Sequence, residues 1–174
     1  HLGLSMHVQT IGQRYGMTPD DVELHFASIS FDGALERWTV PLAFGSRLVI
    51  RDQELWSAEK TCQVIADEGV TISCLPPSYA MQLLDWVESE KAAEAAALGQ
   101  TSLKAASECS LTDVSTALPQ PLSPSLAVAR DASTTFSRMA VRSWTLGGEA
   151  FTRETYERLQ KVLQPQRIIN EIGR

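Results

Sequence analysis

Four short segments hold the residues that could do chemistry, and each follows a strand-like run. They read SFDGALERW (residues 30–38), CLPPSY (74–79), SWTLGGEAFT (143–152) and IINEIG (168–173). In an open parallel sheet, ligands bind where the carboxyl ends of strands meet the following loops. A carboxylate at such an end, as at Asp32, is well placed to pair with a cationic group. The segments therefore predict the walls of one small-molecule pocket, although Asp32 could instead cap the following helix.

Other common chemistries lack their residues in this sequence. The cysteines form no Cys-x-x-Cys pair, no histidine lies at ligand spacing beside them, and no Gly-x-Ser-x-Gly segment occurs. These patterns argue against a zinc site, a disulfide framework and a nucleophile elbow, so the sequence predicts no metal-binding or catalytic residue. The residues concerned are Cys62, Cys74, Cys109, His1, His7 and His25.

Strand and helix patterns alternate along the chain. Strand-like runs occur at 22–27, 47–50, 70–75, 141–146 and 167–170, and helical spacing occurs at 1–15, 32–43, 57–68, 78–87 and 152–163. Strands joined by helices of this length are crossovers in a parallel sheet. The order predicts an α/β fold, a flavodoxin-like parallel sheet with helices on both faces in three layers. A (β/α)₈ barrel is the alternative, but it needs about 250 residues.

One stretch departs from this alternation. Residues 90–139 are rich in Ala, Ser and Thr and contain closely spaced prolines. Glu90 to Ala97 could prolong the preceding helix because Ala, Glu and Lys are strong helix formers, but no period is sustained from Leu98 onward. We therefore expect a single subdomain over residues 1–174 with an atypical insertion at 90–139, a flexible or partly helical surface segment. A docking segment for a neighbouring domain is the alternative.

Charge and composition restrict the partners. The chain is acidic, with a formal net charge of −6, and it has no basic stripe that could follow a nucleic-acid backbone. No apolar run approaches the roughly 20 residues that span a bilayer, and the first residues lack the pattern of a signal peptide. With an odd number of thiols, these features predict a cytoplasmic protein that binds neither nucleic acid nor membrane. The start at His1 predicts a piece of a longer polypeptide.

Taken in order, the four segments resemble the amino-acid-activating adenylation domains of nonribosomal peptide synthetases, which belong to the adenylate-forming enzymes. FDGA resembles the FDxS segment, LPPSY the loop after a pocket strand, LGGEAF the segment beside adenine, and NEIG the start of the NxYGPTE motif. HLGL resembles the stretch after the phosphate loop. The resemblance implies an ATP-dependent, AMP-forming ligase, with ATP and Mg²⁺ as cofactors of the longer protein. It also implies an amino acid substrate, with the rest of the adenylation domain and an adjacent carrier domain as partners.

Parts of the family pattern are altered or not included. Ala34 stands where the family usually has Ser, and Ile172 stands where a Tyr usually packs on adenine. By resemblance, the phosphate loop lies before His1, and the Thr-Glu pair, the ribose-binding Asp and the mobile Lys lie after Arg174. We therefore expect the isolated chain to select a substrate without catalysing adenylation and without binding ATP or Mg²⁺ firmly.

The resemblance also assigns roles by position. Asp32 would pair with the α-ammonium of the amino acid. The side-chain pocket would be lined by Gly33, Glu36, Cys74, Thr145, Gly147 and Glu171, and the nucleotide edge by Gly147, Gly148, Glu149 and Asn170. Two carboxylates that face one pocket repel each other unless a cation lies between them, which favours a basic substrate such as ornithine or lysine. The alternatives are a solvated helix position for Glu36, a distorted terminus for Glu171, and an ordinary turn for the Gly-Gly pair.

Two other functions stay open. One is an aryl or fatty acid–CoA ligase, against which Asp32 argues because those substrates carry no α-ammonium. The other is a noncatalytic, flavodoxin-like binding module.

Overall fold

Helices and strands alternate along the chain, as the sequence predicts. A computed structural model describes residues 1–108 and 138–171. In chain order the elements of these residues are α1 (Leu2–Tyr15), β1 (Val22–His25), α2 (Asp32–Phe44), β2 (Arg47–Ile50), α3 (Ala58–Glu68), β3 (Ile72–Leu75), α4 (Pro77–Glu108), β4 (Ser143–Gly147), α5 (Arg153–Leu163) and β5 (Arg167–Glu171).

The five strands form one sheet in the order β2-β1-β3-β4-β5. Every pair of neighbours is parallel, because a helix returns the chain to the opposite end of the sheet between successive strands. The predicted α/β class and parallel sheet are therefore confirmed. All carboxyl ends lie along one edge, where the loops after the strands can meet.

Helices cover both faces of the sheet and complete the predicted three layers. On one face α3, α4 and α5 pack over a core that includes Leu24, Trp144 and Leu146. On the other face α1 and α2 pack over a smaller core of Val8, Met17, Val40 and Ile72. Since successive strand residues point to opposite faces, β1 directs Leu24 to the first core and its neighbours Glu23 and His25 to the second. The helix pair α1–α2 therefore covers a face that carries charged residues.

Close packing fixes α1 against α2. A Cβ atom added at Gly12 would lie 2.1 Å from the ring of Phe44, so only glycine allows this approach. Both helices end at glycines in the left-handed conformation, with φ 60° at Gly16 and 74° at Gly45. The two helices over the charged face therefore have defined C-terminal ends and pack closely against each other.

A hydrogen-bonded cluster joins the amino ends of the strands, opposite the predicted pocket. The Asp21 carboxylate accepts hydrogen bonds from Thr71 Oγ1 at 2.7 Å and from Arg142 Nε and Nη2, both at 2.8 Å. Arg142 also donates to the carbonyl oxygens of Tyr15 and Gly16, at the end of α1. Burial alone would raise the pKa of Asp21, but the hydrogen bonds outweigh it and lower the pKa to about 2. This cluster therefore ties α1 to the sheet through a charged pair.

Helix α4 extends beyond the predicted pattern. It continues through Glu90 to Ala97 and ends at Glu108, past the point where the sequence shows no sustained period. Residues 109–137 lie outside the described residues, so the surface segment predicted for 90–139 is described only in part. Among the described helices, none combines the length and apolar character needed to cross a membrane.

Candidate functional site

Several predicted pocket residues share one face of the sheet at its carboxyl edge. Cys74 is paired in register with Thr145, and Gly147 with Glu171. These four residues point to the face covered by α1 and α2, because they are an even number of positions from Ile72 and its partners. Glu36 reaches the same place from α2, where it shares hydrogen-bond partners with Glu171. The structure thus brings together five of the residues assigned to the substrate pocket.

The predicted α-ammonium anchor lies at a helix start. Asp32 is the first residue of α2, directly after the loop that follows β1. The preceding Phe31 occupies the N-cap position without a side-chain cap hydrogen bond. Gly33 follows in the first turn, and a Cβ atom added there would meet no atom within 4 Å. Both residues therefore lie at the sheet edge predicted from sequence, and their roles in binding stay predictions.

Arg37, a residue that sequence reasoning did not assign to the site, is the centre of the charged face. Its Nη2 donates to both carboxylate oxygens of Glu171 at 2.8 Å and to the Tyr15 hydroxyl at 2.9 Å. The same atom lies 3.0 Å from Oε1 of Glu36, and Nη1 lies 3.5 Å from Oε1 of Glu23. The Arg37 side chain is only 4% exposed. One buried guanidinium therefore pairs with three carboxylates from three different elements.

This arrangement changes how the paired carboxylates are interpreted. The sequence required a cation between Glu36 and Glu171, and Arg37 of the same chain fills that position. The alternative of a solvated Glu36 is wrong, because its side chain is 12% exposed and hydrogen bonded to His7 and Tyr15. The alternative of a distorted terminus at Glu171 is also wrong, because this residue is in register with β4.

Burial and charge shift the proton affinities at this face. Burial raises the pKa of Tyr15 well above its usual range, and raises that of Cys74 to about 11 despite the opposing effect of Arg37. Burial would lower the pKa of Arg37, but the surrounding anionic groups hold it well above its ordinary value. At neutral pH the face therefore carries a charged arginine, a neutral tyrosine and a protonated thiol, so Cys74 is not a nucleophile here.

Glu23 is a second member of the cluster that sequence reasoning missed. It lies in the middle of β1 and is 1% exposed. Neither of its carboxylate oxygens has a hydrogen-bond partner among the described residues, and burial raises its pKa to about 8. The signal was present in the sequence VELH, where a Glu follows the first apolar residue of a strand whose other face is in the core. A polar residue at this place is also what ordinary alternation in a half-exposed strand would give, so the pattern does not reveal its burial.

Other unpartnered polar atoms lie on the same face of the sheet as Glu23. His25 follows it on β1, while Ser143 and Thr145 lie on β4 in register with Ile72 and Cys74. His25 Nδ1, Ser143 Oγ, Thr145 Oγ1 and Arg37 Nη1 are all buried without a hydrogen-bond partner among the described residues. Buried polar atoms are nearly always satisfied by protein, water or ligand. This set therefore indicates a polar space between the sheet and α2.

The predicted nucleotide edge is built around the end of β4. A Cβ atom added at Gly147 would lie 3.0 Å from the backbone oxygen of Glu171, so glycine allows the two strands to approach here. Gly148 follows with φ 83°, a conformation that favours glycine. The Glu149 carboxylate accepts hydrogen bonds from Ser78 N at 3.0 Å and Ser78 Oγ at 2.9 Å, which ties this turn to the start of α4. The Gly-Gly turn is therefore more constrained than an ordinary one.

Asn170 lies at the same edge but on the opposite face. It is exposed and in register with Leu146, one residue before Glu171. The residues predicted for the nucleotide edge are therefore close along the strand ends but divided between the faces of the sheet. In the described part of the chain, no group of three His, Cys, Asp or Glu side chains is arranged to hold a metal ion.

Comparison with known proteins agrees with this geometry. Residues 1–173 match the family described as AMP-binding enzyme. The chain belongs to this family. A segment of 84 residues is 31% identical to tyrocidine synthase 2 of Brevibacillus parabrevis, which covers 48% of this chain and 2% of the synthase. Another of 85 residues is 34% identical to the non-ribosomal peptide synthetase CmlP of Streptomyces venezuelae, which covers 48% of this chain and 9% of CmlP.

Solved structures share the fold. The crystal structure of the nonribosomal peptide synthetase FmoA3 superposes with a TM-score of 0.65 at 16% identity, covering 100% of this chain and 14% of FmoA3. The N-terminal subdomain of Klebsiella oxytoca NpsA superposes with a TM-score of 0.59 at 13% identity, covering 96% of this chain and 31% of that one. These findings confirm the resemblance to an adenylation domain. The chain spans less than a third of each of these relatives.

Proposed function

We propose that this chain is the substrate-selecting part of a domain that activates an amino acid as its aminoacyl-adenylate, using ATP, for nonribosomal peptide synthesis. One observation carries the proposal. In a member of the AMP-binding family, the start of α2 and the strand ends converge on a charged, buried face at the carboxyl edge of the sheet. This is the edge where open parallel sheets bind ligands.

In this proposal Asp32 anchors the α-ammonium of the amino acid at the start of α2. The pocket for the side chain lies between α2 and the sheet, over Cys74 and Thr145. Gly147 marks the boundary with the nucleotide, because strand β5 approaches it closely. When bound, ATP would supply the α-phosphorus that the amino acid carboxylate attacks, with pyrophosphate as the leaving group. The glycines at the end of β4 would fit a nucleotide base because they leave backbone open to close approach.

We further propose that the selected amino acid has a basic side chain. Three carboxylates, Glu23, Glu36 and Glu171, face the single guanidinium of Arg37. With Glu23 protonated at neutral pH, because its pKa is raised to about 8, the cluster keeps one negative charge in excess. This negative cluster attracts a cationic side chain such as that of ornithine or lysine, whereas it repels an acidic side chain.

The activity itself is tested by amino-acid-dependent exchange of pyrophosphate into ATP. We propose that the 174 residues alone do not catalyse this exchange, since their sequence has no Ser/Thr/Gly-rich phosphate loop, and that a longer polypeptide containing them does. ATP and Mg²⁺ act in that longer protein, with a carrier domain as acceptor and with the cytoplasm as its location. Exchange by the isolated chain would contradict the division of labour, and no exchange by the longer polypeptide with any amino acid would contradict the function.

Selectivity is tested by Glu36→Gln in the longer polypeptide. We expect exchange with ornithine and lysine to fall by about tenfold or more relative to neutral amino acids, because one charged contact is lost. Glu68→Gln is the matched control, because Glu68 is half-exposed and pairs with Arg47 on the surface. This control should leave the exchange rate with every amino acid unchanged. An unchanged ranking of amino acids in Glu36→Gln would refute the basic preference.

An acyl-CoA ligase is the second candidate, supported by a shared fold. A benzoate CoA ligase superposes with a TM-score of 0.56 at 19% identity, over 91% of this chain. The buried charges argue against an aromatic or fatty acyl substrate, because an apolar group would leave Glu23 and Arg37 without compensation. Exchange that depends on benzoate or a fatty acid, and not on amino acids, would favour this candidate.

A further inference from the structure

We infer that Glu23 forms the floor of the substrate pocket and accepts hydrogen bonds from the ammonium group at the end of a basic amino acid side chain. This inference rests on the proposed amino acid substrate and adds the residue that receives its far end. No pattern in the four motif segments contains Glu23, which comes before the first of them.

Position in the sheet supports the floor assignment. Glu23 is in register with Ile72, and Ile72 with Ser143, whereas Cys74 and Thr145 lie two residues closer to the carboxyl edge. At about 3.3 Å per strand residue, Glu23 is roughly 7 Å deeper than the Cys74–Thr145 pair. A side chain that enters between Gly147 and α2 and passes that pair would thus end near Glu23.

Hydrogen-bonding capacity defines what the floor can hold. Around the space, the unpartnered atoms are both oxygens of Glu23, the hydroxyl oxygens of Ser143 and Thr145, Nδ1 of His25 and Nη1 of Arg37. Only the arginine is restricted to donating, while the carboxylate and hydroxyl oxygens can all accept. An ammonium group offers three donors and no acceptor, so it matches this acceptor-rich lining.

The division of charge leaves Glu23 as the carboxylate with the weakest partner. Arg37 hydrogen bonds to Glu171 at 2.8 Å and lies 3.0 Å from Glu36, but its nearest approach to Glu23 is 3.5 Å. The outer carboxylates thus have close contacts with the guanidinium, whereas the inner one has only the longer contact with Nη1. Glu23 is 1% exposed, and a buried carboxylate without donors is costly unless a ligand or water compensates it.

Proton linkage gives the inference a signature in the unmodified protein. The groups that face Glu23 are Arg37 and Glu36 from α2, Glu171 from β5, Cys74 from β3 and His25 from its own strand. Burial holds the pKa of Glu23 at about 8, so the carboxyl is largely protonated at pH 7. An ammonium bound to it favours the ionised form and displaces the proton. Binding of a basic amino acid should therefore release close to one proton at pH 7 and tighten about tenfold between pH 6.5 and 8.

The test is isothermal titration calorimetry of the 174-residue chain with L-lysine, L-ornithine and L-norleucine, an analogue whose side chain is uncharged. Titrations in buffers of different ionisation enthalpy measure the number of protons released on binding. We expect lysine or ornithine to bind at least tenfold more tightly than norleucine, with proton release that norleucine does not cause. In Glu23→Gln the preference should fall at least tenfold and the proton release should vanish, while norleucine binding stays the same. Glu68→Gln, on the surface, should match the unmodified chain.

The outcomes separate this inference from the proposed function. Basic selectivity that depends on Glu23, in a protein that exchanges no pyrophosphate in its longer form, would support the floor and refute adenylation. Exchange with amino acids whose ranking is unchanged by Glu23→Gln would keep the function and overturn the floor. Equal binding of lysine and norleucine, or lysine binding without proton release, would mean that water fills the space and would also overturn it. The proton measurement needs no variant, so it decides even if Glu23→Gln does not fold.

Discussion

Arg37 is the residue whose replacement most directly tests the charged cluster. In Arg37→Gln the guanidinium is lost while the side chain keeps a polar end and most of its length. Glu36 and Glu171 would then face each other across Tyr15 without a cation, and Glu23 would lose its nearest charge. The variant should therefore lower the free energy of unfolding. Arg37 also lies in the region that the proposed function uses for binding.

The size of the effect follows from burial. Arg37 and Glu23 have side chains 4% and 1% exposed, and removing one partner of a buried ion pair typically costs about 3–5 kcal/mol. Glu171 is 37% exposed, so solvent screens its share and we expect the lower end, about 3 kcal/mol near pH 8. With a urea dependence of about 2 kcal/mol per molar, the midpoint should fall by about 1.5 M.

The pH dependence carries a definite sign. Without Arg37, the pKa of Glu23 in the folded chain should rise further above its ordinary value of 4.5. From its ordinary pKa up to about 8, Glu23 stays largely protonated in both folded forms, so the unmodified chain and the variant lose stability equally as pH rises. Above pH 8 only the unmodified chain ionises Glu23 while folded, so the cost of Arg37→Gln should be smaller at about pH 7 than at about pH 9.5.

Urea unfolding followed by tryptophan fluorescence at both pH values measures this effect. Arg153→Gln is the matched control, because Arg153 pairs with Glu157 at 2.7 Å on the surface with a side chain 91% exposed. Its midpoint should move by less than about 0.3 M. A midpoint shift in Arg37→Gln no larger than the control, or one equal at about pH 7 and about pH 9.5, would refute the buried-cluster argument.

Three further predictions concern the framework of the site. Asp21→Asn should lower stability at pH 7 by about 2 kcal/mol, since its pKa of about 2 lies below the ordinary 3.8; this difference should disappear as pH falls from 3.8 towards 2, and a constant difference in urea titrations would contradict it. Gly12→Ala should lower the melting temperature by at least about 5 °C because the added Cβ collides with Phe44, whereas Gly3→Ala in the same helix meets no atom within 4 Å; equal melting temperatures would disprove the close packing. Gly147→Ala should displace the end of β5 and weaken ligand binding at least tenfold with little change in melting temperature, and unchanged affinity in titration calorimetry would exclude this role.

Much of the fold was predictable because local patterns agree with one another. The boundaries of helices and strands are indicated by several local features that agree. These are the apolar strand runs, the N-caps Ser57 and Thr152, and the glycines at helix ends. Strands joined by helices favour a parallel sheet, because each helix packs on the sheet as it connects two strands. The extension of α4 to Glu108 was not predicted, because Ala- and Ser-rich sequence has helix propensity without the apolar period that pattern reasoning depends on.

The candidate site was predictable only where motifs carry it. Glu36, Cys74, Thr145, Gly147 and Glu171 were assigned from resemblance to a family, and the structure gathers them on one face. Arg37 and Glu23 were missed, because a charged residue next to a motif, or within a short strand, gives no sign of its burial. Their partners come from elements far apart in sequence.

The sequence by itself determined the class of fold and the resemblance to adenylation domains, and it predicted the edge of the sheet at which a ligand binds. These properties depend on periodicity and on short segments, which are local. Only the tertiary structure decided which charge compensates which. The hydrogen bond from Arg37 to Glu171 joins residues 134 positions apart, and its strength depends on burial that many elements create together. The cation predicted to come from a substrate is supplied in part by Arg37 of the chain itself, and Glu23 is the carboxylate of the cluster whose oxygens have no hydrogen-bond partner among the described residues.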